Sequence, residues 1–210
     1  MSLADRASIA ADPAPYACSV SDEQGSGRAG ARVTTRAGDG GETSLFGPGR
    51  VRKTDSRIAA LGDLDEAQAA LGVARAALDA EPKATVLELQ RGLYVVMSEV
   101  ATPADRRGRL PQRIDAAAVA TIDALSSRLR AASPVEGRFV IPGDAAAAAA
   151  LDLARTIVRR AERTVVALVD SGSADGTHVL PWLNRLSDVV FLLARAAEAA
   201  GAAEAAGTAD

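Results

Sequence analysis

Between about residues 55 and 200 the chain sets apolar side chains at helical spacing in five stretches, each cut off by proline or glycine. The first runs from about Asp55 to Asp79, with Ile58, Leu61, Ala69 and Val73 on its apolar face, and Glu81-Pro82 closes it. The second covers about Ala84–Ala101 and stops before Pro103. The third spans about Gln112–Ala132, with Ile114, Val119, Ile122 and Leu125. The fourth follows "FVIPGD", with Asp144 as its expected N-cap, and continues to about Val169. The fifth runs from about Val179 to Ala200 and carries Pro181 in its first turn, where a missing N–H does no harm. Hydrophobic residues make up 48% of the chain but aromatics only 3%, so alanine and aliphatic side chains must build the core. Close-packed helices use that palette better than a sheet does. The pattern predicts an all-α, five-helix up-and-down bundle.

The flanks read differently. Residues 1–32, rich in Ala, Gly, Ser, Pro and Asp without a period, are expected to be a disordered tail. The bundle domain is expected over 33–200, opened by a glycine-rich loop, with a flexible C-terminus over 201–210. Lys+Arg 24 against Asp+Glu 27 gives a net charge of −3, which argues against a nucleic-acid partner. One cysteine, Cys18, and one histidine, His178, leave no disulfide framework and almost no scope for a Cys/His zinc site. No apolar run approaches the roughly 20 residues needed to span a bilayer. A continuous apolar leader is missing from the start, so a cytoplasmic protein without a membrane partner is expected.

The fourth stretch contains "LARTIVRRAERTVVAL". At about 100° per residue, Arg155, Arg159 and Arg163 lie within roughly 80° of one another. Ile157, Val158, Ala161, Val165 and Leu168 fall on the opposite side and feed a core, and Arg160 lies just outside the stripe. Within the stretch only Glu162 is at hand to neutralise these arginines. Two readings follow: a solvated surface of ion pairs, or a face that binds phosphate, whose oxygens suit the planar guanidinium fork. The charge imbalance favours phosphate. On the fifth stretch Asn184, Asp188 and Arg195 share one face. They line a polar cleft or belong to a network tying the fifth helix to the fourth.

Upstream, "TTRAGDGGETSLFGPG" concentrates Gly38, Gly40 and Gly41 with Thr35, Thr43 and Ser44. Successive backbone N–H groups in such a loop can cradle an anion. The following "GPGRVRKT" has Gly47 and Lys53-Thr54 at P-loop spacing, but Arg52 stands where the second glycine is needed, so a Walker fold is rejected. Lys53 still serves as a point charge. Asp63, Asp65 and Glu66 in the first stretch are available to an arginine, or are surface solvation.

Taken together, "TRAGDGGETSLFG", "GDLDEAQAALG", "FVIPG", "RTIVRRAER" and "LNRLSDVVFLLAR" resemble the PduO-type ATP:cob(I)alamin adenosyltransferases over about Val33–Ala197. The resemblance implies transfer of the 5′-deoxyadenosyl group of ATP to cobalt, with ATP (and Mg²⁺) and cobalamin as ligands. It implies a homotrimer with active sites between subunits and a flavin-type reductase as electron donor. By resemblance, Thr35, Arg36, Gly38, Thr43, Ser44 and Lys53 belong to the nucleotide loop, and Arg159, Arg160, Glu162, Arg163 and Asn184 to the ATP face. Asp65 and Arg155 match an ion pair near the corrinoid, and Phe139 matches the aromatic that displaces the lower axial ligand; with Arg159 these form the catalytic group. Ala37 stands where the family usually has threonine, and Asp152 where histidine is frequent. Those departures motivate the alternative of a non-catalytic ATP- or corrinoid-binding helical module.

Overall fold

The computed structural model describes residues 34–132 and 139–207, with side chains described as far as residue 203. The expected tail over 1–32 lies outside the described residues. The chain separates into two compact units, Met1–Arg36 and Ala37–Asp210, and the second holds everything below except Thr35 and Arg36.

Five helices form an up-and-down bundle: α1 (Ser56–Ala76), α2 (Ala80–Ala101), α3 (Ala116–Ala132), α4 (Ala146–Asp170) and α5 (Val179–Gly207). Helix α1 packs on α2 and α4, α4 on α5, and α5 on α3. The core is aliphatic except for Trp182 and is centred on Leu64, Leu71, Leu93, Leu151, Leu183 and Leu186, all fully buried. Buried Ala67, Ala154 and Ala161 let helix axes approach closely, which is how a chain with so few aromatics fills its interior.

The helix limits differ from the periodic pattern where local hydrogen bonding decides. Pro82 does not end α1; it lies in the first turn of α2, behind the N-cap Asp79, where its missing N–H would have had no intrahelical partner. Helix α3 starts at Ala116, not near Gln112, because the Asp115 carboxylate accepts from Ala118 N–H at 2.8 Å and caps it. The cap of α4 is Ala145 in extended conformation without a side-chain bond, so Asp144 is not the N-cap. Helix α5 continues through Gly207 in place of a flexible end after residue 200, and its alanine-rich last turns favour helix. Gly201 permits this: a Cβ there would sit 3.2 Å from the Ala145 Cβ at the start of α4.

A 3₁₀ turn, Ala104–Arg109, was not evident in the sequence. It places Arg107, 8% exposed, between two helix ends. Arg107 donates to the Thr102 carbonyl at 3.3 Å and to the Ser173 carbonyl at 3.3 Å, and Arg57 reaches the same Ser173 carbonyl at 2.7 Å. These carbonyls lie just beyond the C-termini of α2 and α4, where the helix dipole favours cations. Burial, then the nearby Arg57 charge, lowers the pKa of Arg107.

Two short strands, β1 (Glu42–Thr43) and β2 (Val51–Arg52), pair antiparallel with Glu42 opposite Arg52. The pairing is antiparallel and gives no P-loop framework, in keeping with the rejection of a Walker fold.

Candidate active site

Helix α4 offers its arginines outward as the spacing requires, because Val158, Ala161 and Val165 are fully buried behind them. The guanidinium groups have different fates. Arg160 is committed to α1: its Nε lies 3.4 Å from Asp63 Oδ1 and its Nη2 bonds Glu66. Asp63 also accepts from the Thr164 hydroxyl. Arg155 is 3.4 Å from the Asp152 carboxylate and lies 5.8 Å from the centre of the Phe191 ring. Arg159 and Arg163 are exposed, and among the described residues no carboxylate pairs with either. Arg163 donates to the Arg159 carbonyl at 2.9 Å, which steers its side chain back along the helix.

The facing helix supplies matching rungs. Asn184 donates to Glu162 at 3.1 Å, the Phe191 ring meets Arg155, and Arg195 bonds Asp152. From one rung to the next the chain advances seven, then four residues along α5 and retreats seven, then three along α4, so the two helices are antiparallel. In that register Asp188 falls opposite Arg159, yet no ion pair joins the two. The rung is vacant. Asn184 and Asp188 line an open groove of about 790 Å³ between α3 and α5, together with Asp123, Arg130 and Arg185. Arg195 is not in that groove; it is buried at the seam, so for Arg195 the network reading is the correct one.

The hairpin assembles the upstream set. A turn closed by Gly41 N–H on the Gly38 carbonyl at 3.1 Å precedes β1, and Gly41 takes a φ of 78° that a side chain would strain. Lys53 N–H bonds the Gly41 carbonyl at 2.9 Å. Its ammonium lies over Gly38, where an added Cβ would be 3.0 Å from Nζ. Glycine at 38 thus leaves room for the cation. Thr43 stands in β1 and Ser44 just after it, exposed. Arg36, in the other unit, has a φ of 60°.

Two sequence expectations are not met within one chain. Asp65 is exposed on α1 and does not pair with Arg155, which Asp152 already occupies. No hydrogen bond or ion pair links Gly38, Thr43, Ser44 or Lys53 to α4. Phe139 is fully exposed. Among the described residues no group of three or more His, Cys, Asp or Glu side chains is placed to hold a metal ion. Sequence reasoning missed two partners of Arg155: Asp152, three residues before it on the same helix and just outside the stretch that opens at Leu153, and Phe191, which sits one helix away and leaves no local signal.

The model of the family described as cobalamin adenosyltransferase matches residues 33–197, from the glycine-rich loop to the end of the paired region of α5. The chain belongs to that family. A corrinoid adenosyltransferase of Mycobacterium tuberculosis is 38% identical over 175 residues, covering 81% of this chain and 90% of the relative. One of Citrobacter freundii is 38% identical over 168 residues, covering 80% and 95%. A solved adenosyltransferase of the PduO type, a phenylalanine-to-alanine variant from Lactobacillus reuteri complexed with cobalamin and ATP, superimposes with a TM-score of 0.72 at 30% identity. It covers 80% of this chain and 94% of that one. Membership in the adenosyltransferase family thus spans both the hairpin and the arginine helix. In addition, no helix among the described residues is long and apolar enough to cross a membrane.

Proposed function

We infer that the protein transfers the 5′-deoxyadenosyl group of ATP to the cobalt of cob(I)alamin, giving adenosylcobalamin and triphosphate. The observation that carries this reading is the partition of charge on α4. Arg155 and Arg160 are neutralised by acids of their own chain, whereas Arg159 and Arg163 face outward with no carboxylate partner among the described residues.

In the reaction the cobalt(I) electron pair attacks C5′, the C5′–O bond breaks, and its electrons pass to the triphosphate oxygen. Negative charge grows on the leaving group, so fixed cations help most at that moment. Arg159 and Arg163 take that role, with Glu162 and Asn184 holding the register of α4 on α5 beside them. Arg160 reaches the nucleotide only by leaving Asp63 and Glu66. Gly38, Thr43, Ser44 and Lys53, with Thr35 and Arg36, form the loop that holds the rest of the nucleotide. Mg²⁺ travels with the triphosphate of the substrate. No proton is moved in the transfer, which accords with a site that contains no histidine.

Among the described residues no hydrogen bond or ion pair joins Gly38, Thr43, Ser44 or Lys53 to α4, and this supports a homotrimer in which one subunit brings the loop and its neighbour the arginines. Exposed Val73 on α1 and Leu153 and Val166 on α4 supply apolar surface for such contacts. The Asp65–Arg155 pair belongs to that assembled state. Phe139, with its ring in solvent, is placed to stand under the corrinoid and keep the lower ligand off cobalt. A flavin-type reductase supplies the electron, and a cytoplasmic setting suits both partners.

The test is an anaerobic assay of reduced cobalamin with ATP, followed by the spectrum of the cobalt–carbon product. Turnover beyond one equivalent per site supports the enzyme. Binding of ATP without product would favour the non-catalytic module.

A further inference from the structure

Three residues at the α4–α5 seam, Asp152, Phe191 and Arg195, have no part in the reaction just described. Asp152, 5% exposed, stands between two arginines. Its Oδ1 is 3.4 Å from Arg155 Nε, and its Oδ2 accepts from Arg195 Nη2. Arg195, also buried, turns Nη1 to Glu198 at 2.7 Å. The Phe191 ring lies near both guanidinium groups, 5.8 Å from that of Arg155 and 5.4 Å from that of Arg195. The charges of Asp152, Glu198, Arg155 and Arg195 cancel.

A buried carboxylate is strongly unfavourable unless paired, and so is a buried guanidinium. Arg195 is held by two acids and cannot reach outward. Arg155 is different: its side chain is 28% exposed, so one end of the group is fixed and the other meets solvent. A long arginine side chain left to itself samples many rotamers, and ordering it in advance removes that cost from the binding step. Asp152 and the ring face supply the ordering.

We propose that Asp152 is a positioning residue, fixing the Arg155 guanidinium at the mouth of the corrinoid site and acting on the reaction only through Arg155. The inference rests on the adenosyltransferase reading for the place of Arg155. It has two consequences. Arg155 is assigned to the corrinoid and not to the triphosphate, so loss of Asp152 is expected to leave the KM for ATP nearly unchanged. And because one residue works through the other, the two substitutions do not add.

The experiment is a double-mutant cycle of Asp152→Asn, Arg155→Ala and the pair. It is read as KM for reduced cobalamin and for ATP, with the Arg155 Nε–H signal followed by NMR. Asp152→Asn is expected to raise the cobalamin KM about tenfold, within what a misplaced group costs. The ATP KM stays within about twofold and the double variant matches Arg155→Ala, as expected of coupled residues. The Arg155 Nε–H signal, observable in the parent protein, is expected to vanish in Asp152→Asn. If Asp152→Asn does not fold because Arg195 has lost a partner, Asp152→Asn with Arg195→Gln removes both buried charges and is read the same way. Multiplying losses, a matching rise in the ATP KM, or an unchanged Arg155 signal would overturn the inference. A parent protein that forms no adenosylated corrinoid sinks the functional reading instead, and the Arg155 signal still decides whether Asp152 places that side chain.

Discussion

Gly92 of α2 faces the indole of Trp182 of α5 so closely that a Cβ on the glycine would lie 2.3 Å from the ring Cζ2. Trp182 is 5% exposed and is wedged against the helix opposite. Alanine at 92 would gain roughly 1 kcal/mol of helix propensity but would force the ring out of its pocket. Overpacking of this kind costs about 1–3 kcal/mol beyond that gain. Gly92→Ala is expected to lower the melting temperature by several degrees, at about 2–4 °C per kcal/mol for a chain of this size. A calorimetric scan checks it, and an equal or higher midpoint would show that the indole can move.

Arg107 is a second point of dependence. Its guanidinium closes the ends of α2 and α4 through the Thr102 and Ser173 carbonyls. Arg107→Ala leaves the Thr102 carbonyl without its side-chain donor, while Ser173 keeps Arg57, and is expected to cost about 1–3 kcal/mol. Arg107→Lys keeps the charge but not the fork, and should recover less than half. Urea denaturation of the three proteins measures both.

Acid sensitivity follows from Asp175. Its pKa is lowered, first by the Thr177 hydroxyl at 2.6 Å, then by the Thr177 N–H at 3.0 Å, with Arg107 and Arg113 adding to this. A folded-state pKa below the unfolded one contributes stability that is present above the unfolded value, about pH 4, and is lost as pH falls through the folded value. Thr177→Val should therefore leave stability almost unchanged at a pH well below the folded value while reducing it slightly at pH 7. Denaturation at both pH values tests the sign, and a loss confined to low pH would contradict it.

Arg160 and Arg159, neighbours on α4, should separate in function. Because Asp63 and Glu66 hold Arg160, Arg160→Ala is expected to loosen α1 from α4 and lower the midpoint by about 2–4 °C, as a partly exposed pair worth about 1 kcal/mol would. Its effect on the KM for ATP should be smaller than that of Arg159→Ala. Side-by-side kinetics of the two variants decide this.

These contrasts bear on what the sequence makes legible. Helices α1–α5 and the outward arginine face are readable because apolar spacing and the alanine excess are local properties that packing only reinforces. The glycine–lysine arrangement of the hairpin is half readable: the residue types announce an anion loop, but the seat of the Lys53 ammonium over Gly38 depends on strand pairing. The charge partition is less readable. Arg155 has its acid three residues back in Asp152, whereas for Arg160 the neutralising acids are far away in sequence on α1. The same holds for Glu99, whose buried carboxylate accepts from Ile114 N–H at 2.5 Å and fixes the approach to α3. Nothing in the spacing of α2 marks it as other than a surface acid.

The central claim is that an uncompensated guanidinium on α4 stabilises the departing triphosphate. Its most direct test is the anaerobic rate of adenosylcobalamin formation by Arg159→Ala at saturating ATP and reduced cobalamin. The account predicts a kcat lower by about 10²–10³, the loss typical of removing one fixed transition-state donor, with unchanged helical content. Turnover at the parent rate would contradict it.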